Sequence, residues 1–171
     1  MPDASPAWIV CKFGGTSVSS RDRWDTIGEV VRTHQAEGRH PFLVCSALQG
    51  ISDQLEALLE AAAHGTPQDP LATIRERHET LARAMDVDPA AVLGDGFDRL
   101  ERLTEEAVAA ESIPPRLRAA VLATGELLST RLGAAYLSAQ GLDVRWLDAR
   151  EFLRAQDDPH VPPRRQYLSA A

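Results

Sequence analysis

Apolar residues along this chain fall into two short, near-continuous runs and several longer stretches with helical spacing. The runs are residues 8–13, WIVCKF, and 41–46, PFLVCS. Neither alternates apolar with polar positions, which predicts strands covered on both faces, as in a parallel α/β sheet. Between them, residues 21–37 place Trp24, Ile27, Val30 and Val31 on one helical face, and Gly38 stops the helix. After a short loop, ALQG, a second helix is predicted over 52–64, with Leu55, Leu58, Leu59 and Ala62 on one stripe. The opening therefore reads strand–loop–helix–strand–loop–helix.

The middle, 70–111, has helical patterning with polar faces. Pro89, Gly94 and Gly96 predict a break between antiparallel helices around Val87–Gly96. His78 lies among charged neighbours and reads as a solvated surface residue. Residues 115–140 are helical again, with an interruption expected at Thr124-Gly125. Thr124 would cap a new helix there and place Glu126 in its first turn. Leu128, Leu132, Ala135 and Ala139 form the apolar stripe, Gly141 ends the helix, and DVRWL, 143–147, is a third strand candidate. The tail after Arg154 is rich in proline and polar residues, without a closing element.

Composition narrows the class. A chain of 171 residues, 44% hydrophobic and 25% charged, suits a single globular domain with a real core. No apolar stretch is long enough to span a membrane, and the N-terminus lacks the features of a secretory signal, so the expected location is the cytoplasm. A net charge of −7 gives no electrostatic reason to bind nucleic acid. Cys11 and Cys45 lie inside the strand-like runs and read as small hydrophobes rather than metal ligands or a disulfide.

Candidate chemistry sits at the ends of the two runs. Ligands of open α/β sheets bind outside the carboxyl ends of the strands. Lys12 lies one residue from the end of the first run, and Gly14, Gly15, Thr16 and Ser17 follow. Glycines let backbone N–H groups approach an anion, the hydroxyls donate, and the lysine brings full charge, so the set suits a polyphosphate. It is not a Walker A loop. A bland alternative for the glycines is a tight turn needing positive φ. Ser46 ends the second run and Ser52 follows it, with Ser52 equally suited to capping the next helix. Glu126, in Thr124-Gly125-Glu126-Leu127-Leu128-Ser129, has by itself no stronger reading than an exposed acid near a helix start.

Taken in order, VCKFGGTSV, LVCSALQGISDQL and TGELLS resemble the aspartokinase family across roughly residues 8–155. That family opens on V-x-K-F-G-G-T-S-V, ends its second strand in V-S-A-x-x-G-x-T, and begins a later helix with G-E-x-L-S. The resemblance implies a mainly parallel sheet sandwiched by helices, an amino-acid-kinase-like α/β fold. The chain would be one domain, 1–171, the N-terminal portion of the kinase domain. Residues 7–155 would be its core and 156–171 a tail leading to an absent C-terminal part. The implied activity is transfer of the γ-phosphoryl group of ATP, carried with Mg²⁺, to the β-carboxylate of L-aspartate.

Under that resemblance, Lys12 neutralises the phosphoryl group in transit with the Gly14 and Gly15 amides, and Thr16 and Ser17 shape the phosphate loop. Ser46, Ser52 and Glu126 hold aspartate, Glu126 through the α-ammonium. Arg150 falls where family members carry a structural or site-edge arginine. Ser52 stands where the family usually has Thr, which keeps the hydroxyl. The family's later R-G-G-S-D segment and adenine-binding stretch are not in these residues, so the chain alone is expected to be inactive. A homo-oligomer is expected, and fusion to a second enzyme stays open. The alternatives are a different amino-acid kinase, such as glutamate 5-kinase, or an inactive folding or interaction unit.

Overall fold

The computed structural model describes residues 7–153. Two parallel strands, β1 (Ala7–Phe13) and β2 (Arg39–Cys45), pair in register from Ala7 opposite Arg39 to Phe13 opposite Cys45. Parallel neighbours need a crossover, and helix α1 (Arg21–Ala36) supplies it. Four further helices follow: α2 (Ile51–Ala63), α3 (Gln68–Ala84), α4 (Pro89–Ala109) and α5 (Pro115–Ala139). A single turn, α6 (Ala149–Phe152), ends the described chain.

The core forms where the helical stripes meet. Leu55, Leu58, Leu59 and Ala62 of α2 are all buried, as their spacing predicts. Each leucine removed from water stabilises the fold by about 1.5–3 kcal/mol. Trp24 of α1 is buried too, and its indole N–H donates to the Val18 carbonyl at 2.9 Å. Satisfying that one polar atom is what lets so large a ring sit inside.

The parallel α/β character matches the expectation, but the sheet is not covered evenly. Phe13, Leu43 and Cys45 pack against the core. On the opposite face Trp8, Val10 and Val44 are 67%, 68% and 44% exposed. Among the described residues, therefore, the apolar runs are covered on one face rather than two.

Four other expectations need correction. The break in the middle falls at residues 85–88, where Asp86 has positive φ and Asp88 caps α4 through the Ala90 amide. Gly94 and Gly96 lie inside α4, and a Cβ on Gly96 would meet the Leu128 side chain, so that glycine admits α5. Helix α5 runs unbroken through Thr124-Gly125. Thr124 is buried and donates to the Ala120 carbonyl within the helix instead of capping a new one. Residues 143–147 form no strand. Trp146 docks on α5 instead, donating its indole N–H to Thr130 Oγ1 at 3.0 Å beneath the Arg131 guanidinium. His78 is fully buried, its Nδ1 lying 2.8 Å from the Ile74 carbonyl one helical turn back, and burial lowers its pKa to about 4.

The cysteines are free and half-buried. Burial pushes the Cys45 thiol up to about 11, which keeps it protonated and unreactive. No helix among the described residues is long and apolar enough to cross a membrane. The proline-rich tail lies outside the described residues.

Candidate functional site

Two loops leave the carboxyl ends of the strands side by side. Because β1 and β2 are adjacent and parallel, Phe13 and Cys45 end at the same level. The Ser46 amide still donates to the Phe13 carbonyl at 3.0 Å, so the loops part only after the strands have ended.

The first loop turns into one 3-10 turn, Gly15–Val18. The turn is closed by the Ser17 amide donating to the Gly14 carbonyl at 2.9 Å and anchored by buried Val18. Gly14 has φ −79°, and Gly15 is not among the positive-φ glycines, so the turn does not require glycine for its dihedrals. Space explains Gly15: a Cβ there would stand 2.9 Å from the Ala47 carbonyl oxygen. A Cβ on Gly14 would meet only the Lys12 Nζ, 3.5 Å away. The backbone at Gly14 thus stays accessible on the side where the ammonium lies. Lys12 is exposed and forms no ion pair among the described residues. Thr16 is exposed and Ser17 half-buried. An accessible backbone, hydroxyls and an uncommitted ammonium fit a polyphosphate.

The second loop runs from Ser46 to Gly50. Ser46 is half-buried, and Ala47 and Leu48 are buried. Gly50, with φ 76°, precedes Ile51 as the cap position of α2. Ser52 is therefore not the cap; it lies exposed in the first turn of α2. Its hydroxyl is left available because glycine's positive φ makes the turn into the helix.

Helix α5 joins this arrangement through Gly125. A Cβ there would lie 3.0 Å from the Ala47 Cβ and 3.0 Å from Leu55 Cδ1. Glycine at 125 thus brings α5 against the second loop, with half-buried Glu126 next in sequence. Glu126 sits in mid-helix, not in a first turn, and its side chain forms no ion pair among the described residues. Arg150 lies elsewhere, in α6, tied to Asp148 by Nε–Oδ1 and Nη2–Oδ2 bonds of 2.9 and 2.5 Å. That guanidinium holds the Asp148 carboxyl below its usual range.

Ser19 and Arg77 were not singled out from sequence, yet both fasten the second loop. Ser19 Oγ donates to the Gly15 carbonyl at 2.6 Å and accepts from the Gln49 amide at 2.8 Å. Arg77 of α3 donates to the Gln49 carbonyl at 2.7 Å. An open cleft of about 440 Å³ lies on this side, lined by Ser20, Arg21, Leu48, Arg77 and Leu81 among others. Ser19 follows the glycine motif closely enough to invite attention, whereas nothing in the sequence near Arg77 marks its partner.

Comparison with known proteins places this geometry. An aspartokinase of Chlamydia muridarum is 34% identical over 161 residues, 88% of this chain and 33% of the relative. Aspartokinase 1 of Arabidopsis thaliana, chloroplastic, is 30% identical over 147 residues, 83% of this chain and 25% of the relative. Among solved structures, Escherichia coli aspartokinase III in complex with aspartate and ADP superposes with a TM-score of 0.75 at 27% identity. That match covers 88% of this chain and 33% of the other. The chain thus spans a third or less of the length of these relatives. The model of the amino acid kinase family matches residues 7–171. With the parallel strand pair and its adjoining loops inside that span, the chain belongs to the amino acid kinase family.

Proposed function

We propose that the full-length protein containing this chain is an aspartate kinase, moving the γ-phosphoryl group of ATP to the β-carboxylate of L-aspartate in the cytoplasm. The observation that carries the reading is the meeting of three motifs at Ala47: Gly15 closes on its carbonyl and Gly125 on its Cβ. Relatives and a solved neighbour named as aspartokinases, the latter holding aspartate and ADP, support the choice of substrates.

A carboxylate is already a nucleophile, so the reaction needs position and charge more than a strong base. Lys12 neutralises the charge on the phosphoryl group as it moves, and the Gly14 and Gly15 amides hold its oxygens. Thr16 and Ser17 shape that loop. Ser46 and Ser52 orient aspartate, and Glu126 pairs with its ammonium. Mg²⁺ would arrive with the nucleotide, held through phosphate oxygens.

The test is aspartate-dependent ADP release by the full-length protein and its Lys12→Ala variant. Loss of kcat by a hundredfold or more, with little change in aspartate KM, is expected of a group that acts on developing charge. Unchanged turnover in the variant would sink the reading. Faster turnover with glutamate than with aspartate would move the protein to another carboxylate kinase.

A further inference from the structure

We infer that Ser19 is a positioning residue that sets the gap between the phosphate loop and the aspartate loop; this rests on the phosphoryl-transfer reading above. Among the described residues, its Oγ is the side-chain atom that hydrogen-bonds to the backbone of both loops, donating to Gly15 and accepting from Gln49. A hydroxyl can do both at once, which an amide N–H or a carbonyl oxygen cannot. At the strand end the Ser46 amide already ties the second loop to the Phe13 carbonyl, so it is the outer part, Ala47 to Gly50, that needs a further restraint; there the close approach of Gly15 to the Ala47 carbonyl limits how near the loops come and not how far apart they drift. Arg77 steadies Gln49 from α3, outside both loops.

The consequence is specific to a two-substrate reaction. The proposed ligand contacts divide in the same way: Gly14 and Gly15 on the first loop, and Ser52 just past the second, at the start of α2. Loosening the gap leaves each set intact, so separate binding of either substrate is spared. In-line transfer, however, needs the reacting atoms within about 3–3.5 Å of each other, and slack in their spacing reduces rate directly. Ser19 itself touches neither substrate in this scheme.

The experiment uses the full-length protein with Ser19→Ala, Ser19→Thr and Lys12→Ala. Its readouts are kcat, dissociation constants for aspartate and for ATP measured singly, and amide hydrogen exchange across residues 46–50. Ser19→Ala is expected to lower kcat between about fivefold and a hundredfold. Each dissociation constant should move less than twofold, and the Gln49 amide should exchange faster. Ser19→Thr, which keeps the hydroxyl, should restore kcat. Wild-type kcat in Ser19→Ala beside an inactive Lys12→Ala overturns this inference and leaves the proposed reaction standing. Weakened binding of one substrate that accounts for the whole loss also overturns it. A fully active Lys12→Ala instead removes the proposed reaction, and the inference with it.

Discussion

Lowering the pH should destabilise this protein through His78 well before its carboxylates are protonated. His78 is fully buried on α3, edge-on to the Phe97 ring at a centroid distance of 6.1 Å. Its Nδ1 lies 2.8 Å from the Ile74 carbonyl, which requires a proton on that nitrogen. The tautomer so fixed leaves Nε2 as a bare acceptor, and Nε2 has no hydrogen-bond partner among the described residues. Protonation would add a charged N–H with nothing to receive it, and the neighbouring Arg77 charge opposes it further. Burial therefore lowers the pKa from 6.5 to about 4. The unfolded chain binds the proton more readily than the folded one, so this contribution is complete above pH 6.5 and is lost as pH falls toward 4. The full span corresponds to about 3 kcal/mol, of which about 2 kcal/mol is gone by roughly pH 5. Urea unfolding at about pH 7.5 and about pH 5 measures it, beside His78→Leu. The leucine variant should stay within about 1 kcal/mol of wild type at the higher pH, since it fills the space and removes an unpaired nitrogen. Its stability should change little between the two pH values. An equal loss in wild type and variant would refute the reasoning.

Gly133→Ala should destabilise the fold by about 1–3 kcal/mol or more, because the new methyl would land inside the buried Trp24 indole; chemical denaturation reads the change, and wild-type stability would mean α1 can move freely. Glu126→Gln should raise aspartate KM by about tenfold to a hundredfold and leave ATP largely unaffected, as expected when a charge-assisted bond to an ammonium is lost. An equal effect on ATP would place Glu126 with the phosphates. Gly15→Ala should cost turnover more than stability, since its Cβ would press on the Ala47 carbonyl and push the two loops apart. A variant with normal kcat and reduced stability would reverse that assignment.

The elements written in local pattern were legible. Both strands, α1, α2 and the loops after the strands follow from runs and stripes that need no tertiary partner to recognise. What misled was the meaning of glycine. Gly125 and Gly96 resemble breaks in a one-dimensional reading, yet each stands in a helix where Ala47 and Leu55, or Leu128, press too close for a side chain. That pressure comes from residues distant in sequence. His78 was recoverable: it shares a helical stripe with buried Ile74, Leu81 and Ala82, and its charged neighbours point elsewhere. The segment 143–147 has strand-like residues, but Trp146 finds its partner in Thr130, a contact that no propensity encodes. Of the site, the residue types and their order were readable. Arg77 was not, and Ser19 was marked only by its place after the glycines, because their partners are backbone atoms of Gly15 and Gln49, which the sequence does not distinguish from any others.

An uninterrupted α5 makes Glu126 a point on a lever. The 25 residues of the helix span about 37 Å, and Glu126 stands near the middle, about 16 Å from the Pro115 end. A hinge at Thr124-Gly125 would have let the acid adjust to a ligand alone. A rigid rod does not: tilting it by about 5° around Glu126 sweeps the Pro115 end through about 1.4 Å. The same tilt carries Thr130 and Arg131, and with them the Trp146 segment docked on that helix. Whatever presses on Glu126 is therefore felt at both ends of the longest helix described.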